Sequence, residues 1–260
     1  MRIPYFHVDA FTDRAFGGNP AGVCFLSEWL PDVVLQQIAA ENNLSETAFL
    51  VGDQGSYHLR WFTPVMEVDL CGHATLAPAH VLFHEMKSPG DVIRFQTKSG
   101  ELLAKRRGDR VELNFPARAP VPCPAPEALL QGLGRKPVEV LRSRDFFAVF
   151  ENEGDVASLA PDMDALRQLE CLGVIATAPG TDADFVSRFF APRAGIPEDP
   201  VTGSAHCSLI PYWAKRLGKL EMFARQISTR GGALHCRLDG DRVAIAGGSV
   251  VFSRGEITVS

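Results

Sequence analysis

The sequence lacks the marks of several common protein classes. No stretch approaches the roughly 18 consecutive apolar residues of a membrane-spanning helix, and Met1-Arg2-Ile3-Pro4-Tyr5 opens no extended apolar signal region. There is no G-x-x-x-x-G-K-[ST], no G-x-G-x-x-G and no H-E-x-x-H, so phosphate-loop, dinucleotide and zincin readings find no support. An excess of basic residues is also missing. The net charge is −5, which argues against a protein that grips nucleic-acid phosphates through a positive field. The six cysteines (Cys24, Cys71, Cys123, Cys171, Cys207 and Cys236) are scattered, with no C-x-x-C pair and no zinc-like Cys/His spacing. No metal site is expected, and the thiols read as reduced in a cytoplasmic protein.

What is there is a repetition. Arg60-Trp61-Phe62-Thr63-Pro64 followed by Gly72-His73-Ala74 returns as Arg188-Phe189-Phe190-Ala191-Pro192 followed by Gly203-Ser204-Ala205. The offset is 128 residues between the arginines and 131 between the glycines. Pro31-Asp32 and Pro161-Asp162 echo one another at 130. Matches near a single offset mark a duplicated structural unit. With 260 residues and a hydrophobic share of 46%, two lobes can each bury a core.

Residues 3–11 alternate as a strand, and residues 13–20 are rich in turn formers. Pro31 opens a short helix carrying Leu35, Ile38 and Ala39 on one face, which Asn42-Asn43 stops. Residues 47–51 and 57–62 read as strands. Residues 74–83 are apolar nearly all round, which predicts a helix buried on every side, as a central helix wrapped by sheet would be. The second half repeats this order: a strand at 146–150, a helix at 161–169, strands at 173–178 and 184–190, and an apolar helix at 204–217. Pro78 and Pro211 fall inside the two apolar helices and predict a kink or a late start in each. Lys105-Arg106-Arg107, ahead of Gly108-Asp109, reads as a solvated hairpin turn. Five prolines between 116 and 126 stiffen an extended linker. The expected lobes are 1–117, completed by 250–260, and 118–249.

Polar residues fall at matching places in the two copies. Gly72 and Gly203 each precede a buried helix, whose first turn offers unpaired N–H groups and a partial positive charge for an anion. For either glycine alone, close packing at the helix entry explains it as well. Glu46 stands at the head of an apolar strand, where desolvation would raise a carboxyl pKa toward the range useful for taking a proton from carbon. A strand-edge or capping glutamate fits the same residue. Asp199 sits before Pro200 on the loop leading to Gly203, where it could orient His73 or simply make an Asp-Pro turn.

Taken together, Val8-Asp9-Ala10-Phe11-Thr12, Gly17-Gly18-Asn19-Pro20-Ala21-Gly22-Val23, Asn43-Leu44-Ser45-Glu46-Thr47-Ala48-Phe49, Arg60-Trp61-Phe62-Thr63-Pro64, Cys71-Gly72-His73-Ala74-Thr75 and Glu198-Asp199-Pro200-Val201-Thr202-Gly203-Ser204-Ala205 resemble the phenazine-biosynthesis isomerase-like family, relatives of diaminopimelate epimerase. The resemblance runs in register over nearly the whole chain. It implies an α+β fold of two pseudo-symmetric lobes, each a curved, mostly antiparallel, barrel-like sheet around a central helix, with a cofactor-free site in the cleft between them. It implies that Glu46 shuttles a proton between carbons of a small carboxylate substrate. His73, Asp199 and Ser204 would line the same site, Ser45 would touch the substrate, and Gly72 and Gly203 would supply backbone donors. A homodimer is also implied, with neither nucleic acid nor membrane as a partner.

The wider superfamily contains racemases that use two facing cysteines. Here Cys71 precedes Gly72, but Thr202 precedes Gly203, and an alkyl hydroxyl is far too weak an acid to replace a thiol unaided. The leading reading is therefore a cofactor-independent isomerase working through Glu46. An amino-acid or hydroxyproline epimerase or dehydratase using Cys71 with Thr202 is the alternative. A non-catalytic small-molecule-binding protein on the same scaffold is the alternative of another class.

Overall fold

The computed structural model describes residues 1–259; Ser260, the end of the segment expected to complete the first lobe, lies outside the described residues. By its internal contacts the chain divides into two compact units. One is Met1–Phe115 together with the segment from Ile245 onward, and the other is Pro116–Ala244.

In the first unit the strand Asn19–Leu26 lies between Arg2–Ala10, to which it is antiparallel, and Glu46–Asp53, to which it is parallel. The parallel step needs a crossover, and the helix Asp32–Asn42 supplies it. Asn43 ends that helix in the left-handed conformation, φ 48°, with its N–H returned to the Ala39 carbonyl. Glu46–Asp53 then pairs antiparallel with Ser56–Phe62, which runs parallel to Val92–Thr97. Ser249–Thr258 pairs antiparallel along Arg2–Ala10. Every residue of the helix His73–His80 except the last is buried, and the helix packs against strands drawn from across this sheet.

The second unit repeats the pattern. Phe146–Val149 is parallel to Val174–Pro179, which is antiparallel to Phe185–Ala191, which in turn is parallel to Glu221–Gln226. The helix Gly203–Leu217 packs against Glu221–Gln226 and Gly232–Asp239. The paired arginines have matching roles. Arg60 Nε and Nη2 donate to Glu67 at 2.7 and 2.9 Å, and Arg188 Nε and Nη2 donate to Glu198 at 2.7 and 2.8 Å. Each guanidinium also covers the ring two residues ahead, Phe62 at 5.1 Å and Phe190 at 4.9 Å.

Neither apolar helix starts late. They begin at His73 and Gly203 with the prolines inside them. A proline has no N–H for the carbonyl four residues back, which leaves Ala74 and Cys207 with acceptors to fill. The Trp61 indole N–H donates to the Ala74 carbonyl at 3.0 Å, and the Arg118 backbone N–H donates to the Cys207 carbonyl at 2.8 Å. Two different donors repair the same defect in the two units. Beyond Pro78 the first helix widens into a π-helical turn, Val81–Glu85.

Three expectations need correction. Residues 19 and 20 are not turn but the head of a strand, where Pro20 is tolerated because it stands at the strand's start. Lys105-Arg106-Arg107 lies in the strand Gly100–Arg107, where the Arg106 guanidinium covers the Phe83 ring at 4.7 Å, and the turn itself falls on Gly108-Asp109. The proline-rich segment is not all linker, since Val121–Pro122 pairs with Glu139–Arg142.

Candidate active site

The parallel pairing of Asn19–Leu26 with Glu46–Asp53 sets Glu46 beside Ala21, so the head of one strand carries Asn19 and the head of the next carries Glu46. The tip of the buried helix adds His73, with Cys71 just ahead of it. These side chains meet. His73 Nε2 lies 2.9 Å from Glu46 Oε2, with 4% and 12% of the two side chains exposed. Both contacting atoms are buried, so the pair is shielded from solvent. At the other ring nitrogen, His73 Nδ1 is 3.1 Å from Asn19 Nδ2 and 3.5 Å from Cys71 Sγ. Ser45 Oγ donates to Asn19 Oδ1 at 2.9 Å. Gly72 caps the helix in a right-handed conformation, its carbonyl accepting from Thr75 and Leu76, so the position does not require glycine for its backbone angles.

Burial by itself pushes His73 toward the neutral form, but Cys71 and Glu46 outweigh it and hold its pKa well above the ordinary imidazole value. Burial first, and the Glu46 charge second, push the Cys71 thiol up to about 11. A thiol protonated at neutral pH carries no charge, so the carboxylate is the partner that favours the ring's proton.

Glu46, Cys71 and His73 each bring one donor atom within 4.8 Å of the others, the kind of set that can hold a metal ion. Here the thiol meets Nδ1 while the carboxylate meets Nε2.

In the second unit Asp199 ends the strand Ile196–Asp199, and its Oδ2 accepts from Thr202 Oγ1 at 2.5 Å. Gln226, which is 1% exposed, braces this loop. Its Nε2 donates to the Asp199 carbonyl at 2.7 Å and to Thr202 Oγ1 at 3.1 Å, while its Oε1 accepts from the Thr202 N–H at 2.8 Å. Gly203 is the first helical residue, and Ser204, half-buried, follows it. In the structure Asn19 and Cys71 hold the ring's Nδ1 and Glu46 faces its Nε2, while the Asp199 carboxylate engages Thr202. Asn19 and Gln226 carry no acid–base signature of their own, and only the contacts reveal them.

The chain matches the model of the phenazine biosynthesis-like protein family over residues 8–255. The chain belongs to this family. An uncharacterized isomerase of Pseudomonas aeruginosa is 52% identical over 257 residues, with 99% of each chain covered. The human phenazine biosynthesis-like domain-containing protein is 42% identical over 287 residues, covering 99% of this chain and 100% of the relative. The crystal structure of a phenazine biosynthesis family protein from Enterococcus faecalis superposes with a TM-score of 0.97 at 47% identity, covering 100% of both chains. A hydroxyproline epimerase from Agrobacterium vitis shares the fold alone, with a TM-score of 0.63 at 11% identity over 98% of this chain and 92% of that one. Membership of this family and its epimerase-like fold mark the protein as an isomerase-family member with an α+β, diaminopimelate epimerase-like architecture. No helix among the described residues is long and apolar enough to cross a membrane.

Proposed function

We propose that the protein is an isomerase that moves a proton between carbons of a small carboxylate substrate, with Glu46 as the group that takes and returns it. The observation that supports this most is the buried contact of Glu46 Oε2 with His73 Nε2 at 2.9 Å. The carboxylate accepts the proton from a carbon next to a conjugated carboxyl group, and the electron pair left behind delocalises toward that carboxyl. Glu46, now a carboxylic acid, returns the proton to another carbon of the same system. Protons and electrons balance without an added oxidant or reductant. His73 steadies the carboxylate and the charge that develops beside it. In this reading Asp199 stabilises charge, and Ser45, Ser204 and the backbone at Gly72 and Gly203 bind the substrate's carboxylate. A cytoplasmic homodimer is the proposed setting, and light scattering tests the assembly.

The two-base epimerase reading has less support. The Cys71 thiol, pushed up to about 11, is not a thiolate at neutral pH, and the Thr202 hydroxyl already donates to Asp199 while accepting from Gln226. The deciding experiment incubates the protein with a panel of unsaturated and amino carboxylic acids in deuterated water. Native protein should exchange substrate hydrogen, and Glu46→Gln should lower that rate by about 10²–10⁴-fold while leaving ligand binding largely intact. Retained exchange in Glu46→Gln removes Glu46 from the chemistry. No exchange with any acid favours a binding protein on this scaffold.

A further inference from the structure

We infer that Asn19, held by Ser45 on one side and facing His73 on the other, fixes which imidazole nitrogen carries the ring's proton, and so positions His73 for Glu46. The inference rests on the reading of Glu46 as the base. Asn19 is fully buried at the head of its strand. The Ser45 hydroxyl donates to Asn19 Oδ1 at 2.9 Å, which turns the amide nitrogen to the ring, 3.1 Å from His73 Nδ1. An amide N–H is satisfied only by an unprotonated ring nitrogen. Nδ1 is therefore the acceptor, and the neutral ring keeps its single proton on Nε2, 2.9 Å from Glu46 Oε2.

Three groups face this ring. They are the Glu46 carboxylate and the Asn19 amide, from neighbouring strand heads, and the Cys71 thiol just ahead of the helix. The carboxylate favours a second proton on the ring. That proton would have to sit at Nδ1, where it meets the Asn19 N–H and finds the Cys71 sulfur at 3.5 Å, a weak acceptor. Asn19 thus opposes the imidazolium that Glu46 favours. The consequence is chemical: a carboxylate locked to an imidazolium is a weaker base than one steered by a single neutral donor. Asn19 keeps the first ring proton on Nε2, the atom that faces Glu46, and limits how far Glu46 raises the ring's pKa.

The test is nitrogen NMR on protein labelled at histidine, with the His73 signals assigned by their loss in His73→Gln. In the neutral ring, Nδ1 should be unprotonated and Nε2 protonated; the opposite tautomer overturns the inference. Asn19→Asp replaces the donor with an acceptor and should raise the His73 titration by about one pH unit or more, carrying the pH profile of solvent exchange in the same direction. Ser45→Ala frees the amide to turn and should give a smaller rise. An unmoved titration in both variants overturns the inference, and if Asn19→Asp does not fold, Ser45→Ala and the native tautomer still decide it. If His73 shifts as expected while Glu46→Gln retains exchange, the ring's positioning stands and the base assignment fails. If exchange dies with Glu46→Gln but the tautomer is reversed, this inference alone fails.

Discussion

The repair of the Ala74 carbonyl by Trp61 can be tested as a thermodynamic cycle. Trp61 is 1% exposed and Ala74 is fully buried, so Trp61→Phe leaves that carbonyl with neither water nor Pro78 to satisfy it. An unsatisfied buried acceptor costs about 1–3 kcal/mol. The smaller ring adds on the order of 1 kcal/mol of lost packing. Pro78→Ala restores an N–H at residue 78, placed by the helix itself to reach the carbonyl of residue 74. In that background Trp61→Phe should cost only the packing part, so the two substitutions should couple by about 1–3 kcal/mol. Urea unfolding of the native protein, both single variants and the double variant measures this directly. Equal costs of Trp61→Phe in the two backgrounds would refute the argument, because the indole would then be filling space and nothing more.

Four further outcomes follow from the same contacts. Because His73 has a raised folded pKa, its proton stabilises the fold fully below the unfolded value of 6.5 and that stabilisation is lost as pH rises through the folded value. Glu46→Gln should therefore fall furthest below native stability under pH 6.5, with a gap that narrows on the alkaline side; a gap constant from pH 6 to 10 in denaturant titrations would contradict the pairing. Arg188→Ala breaks the fork to Glu198 and the bonds to the Val156 and Leu159 carbonyls, and should cost about 3 kcal/mol by chemical denaturation, with Arg188→Lys recovering less than half. Gly173→Ala would place a methyl carbon 2.3 Å from the Phe189 ring, so unfolding measurements should register a loss of about 1–3 kcal/mol. Alkylation at pH 7.5, read by mass spectrometry, should modify half-buried Cys123 before Cys71, whose thiol is both buried and pushed up to about 11.

The strands and helices that repeat were legible because their signals are local. The alternation of Tyr57, Leu59 and Trp61, and the unbroken apolar run from Ala74, follow from the period of one element. The strand Asn19–Leu26 was harder to read, because Gly17-Gly18-Asn19-Pro20 has the chemistry of a turn and the sheet overrides it. Arg106 was misread for a related reason: a charged residue in a strand is stable when its stem and guanidinium lie over a ring, and that ring, Phe83, is distant in sequence.

The sequence by itself determined the doubled plan, the two buried helices and the family, and it singled out Glu46 and His73 as candidates. The tertiary structure alone decided what each nitrogen of His73 faces within its unit, that Asn19 lies against the ring, that Gln226 braces the Asp199 loop, and that Trp61 and Arg118 fill the carbonyls the prolines abandon. The physical reason is range. A hydrogen bond between Asn19 and His73 spans 54 positions of chain and leaves no period or spacing behind. Such a bond exists only once the sheet has brought two strand heads to one helix tip, and the choice of donor and acceptor there sets the site's protons.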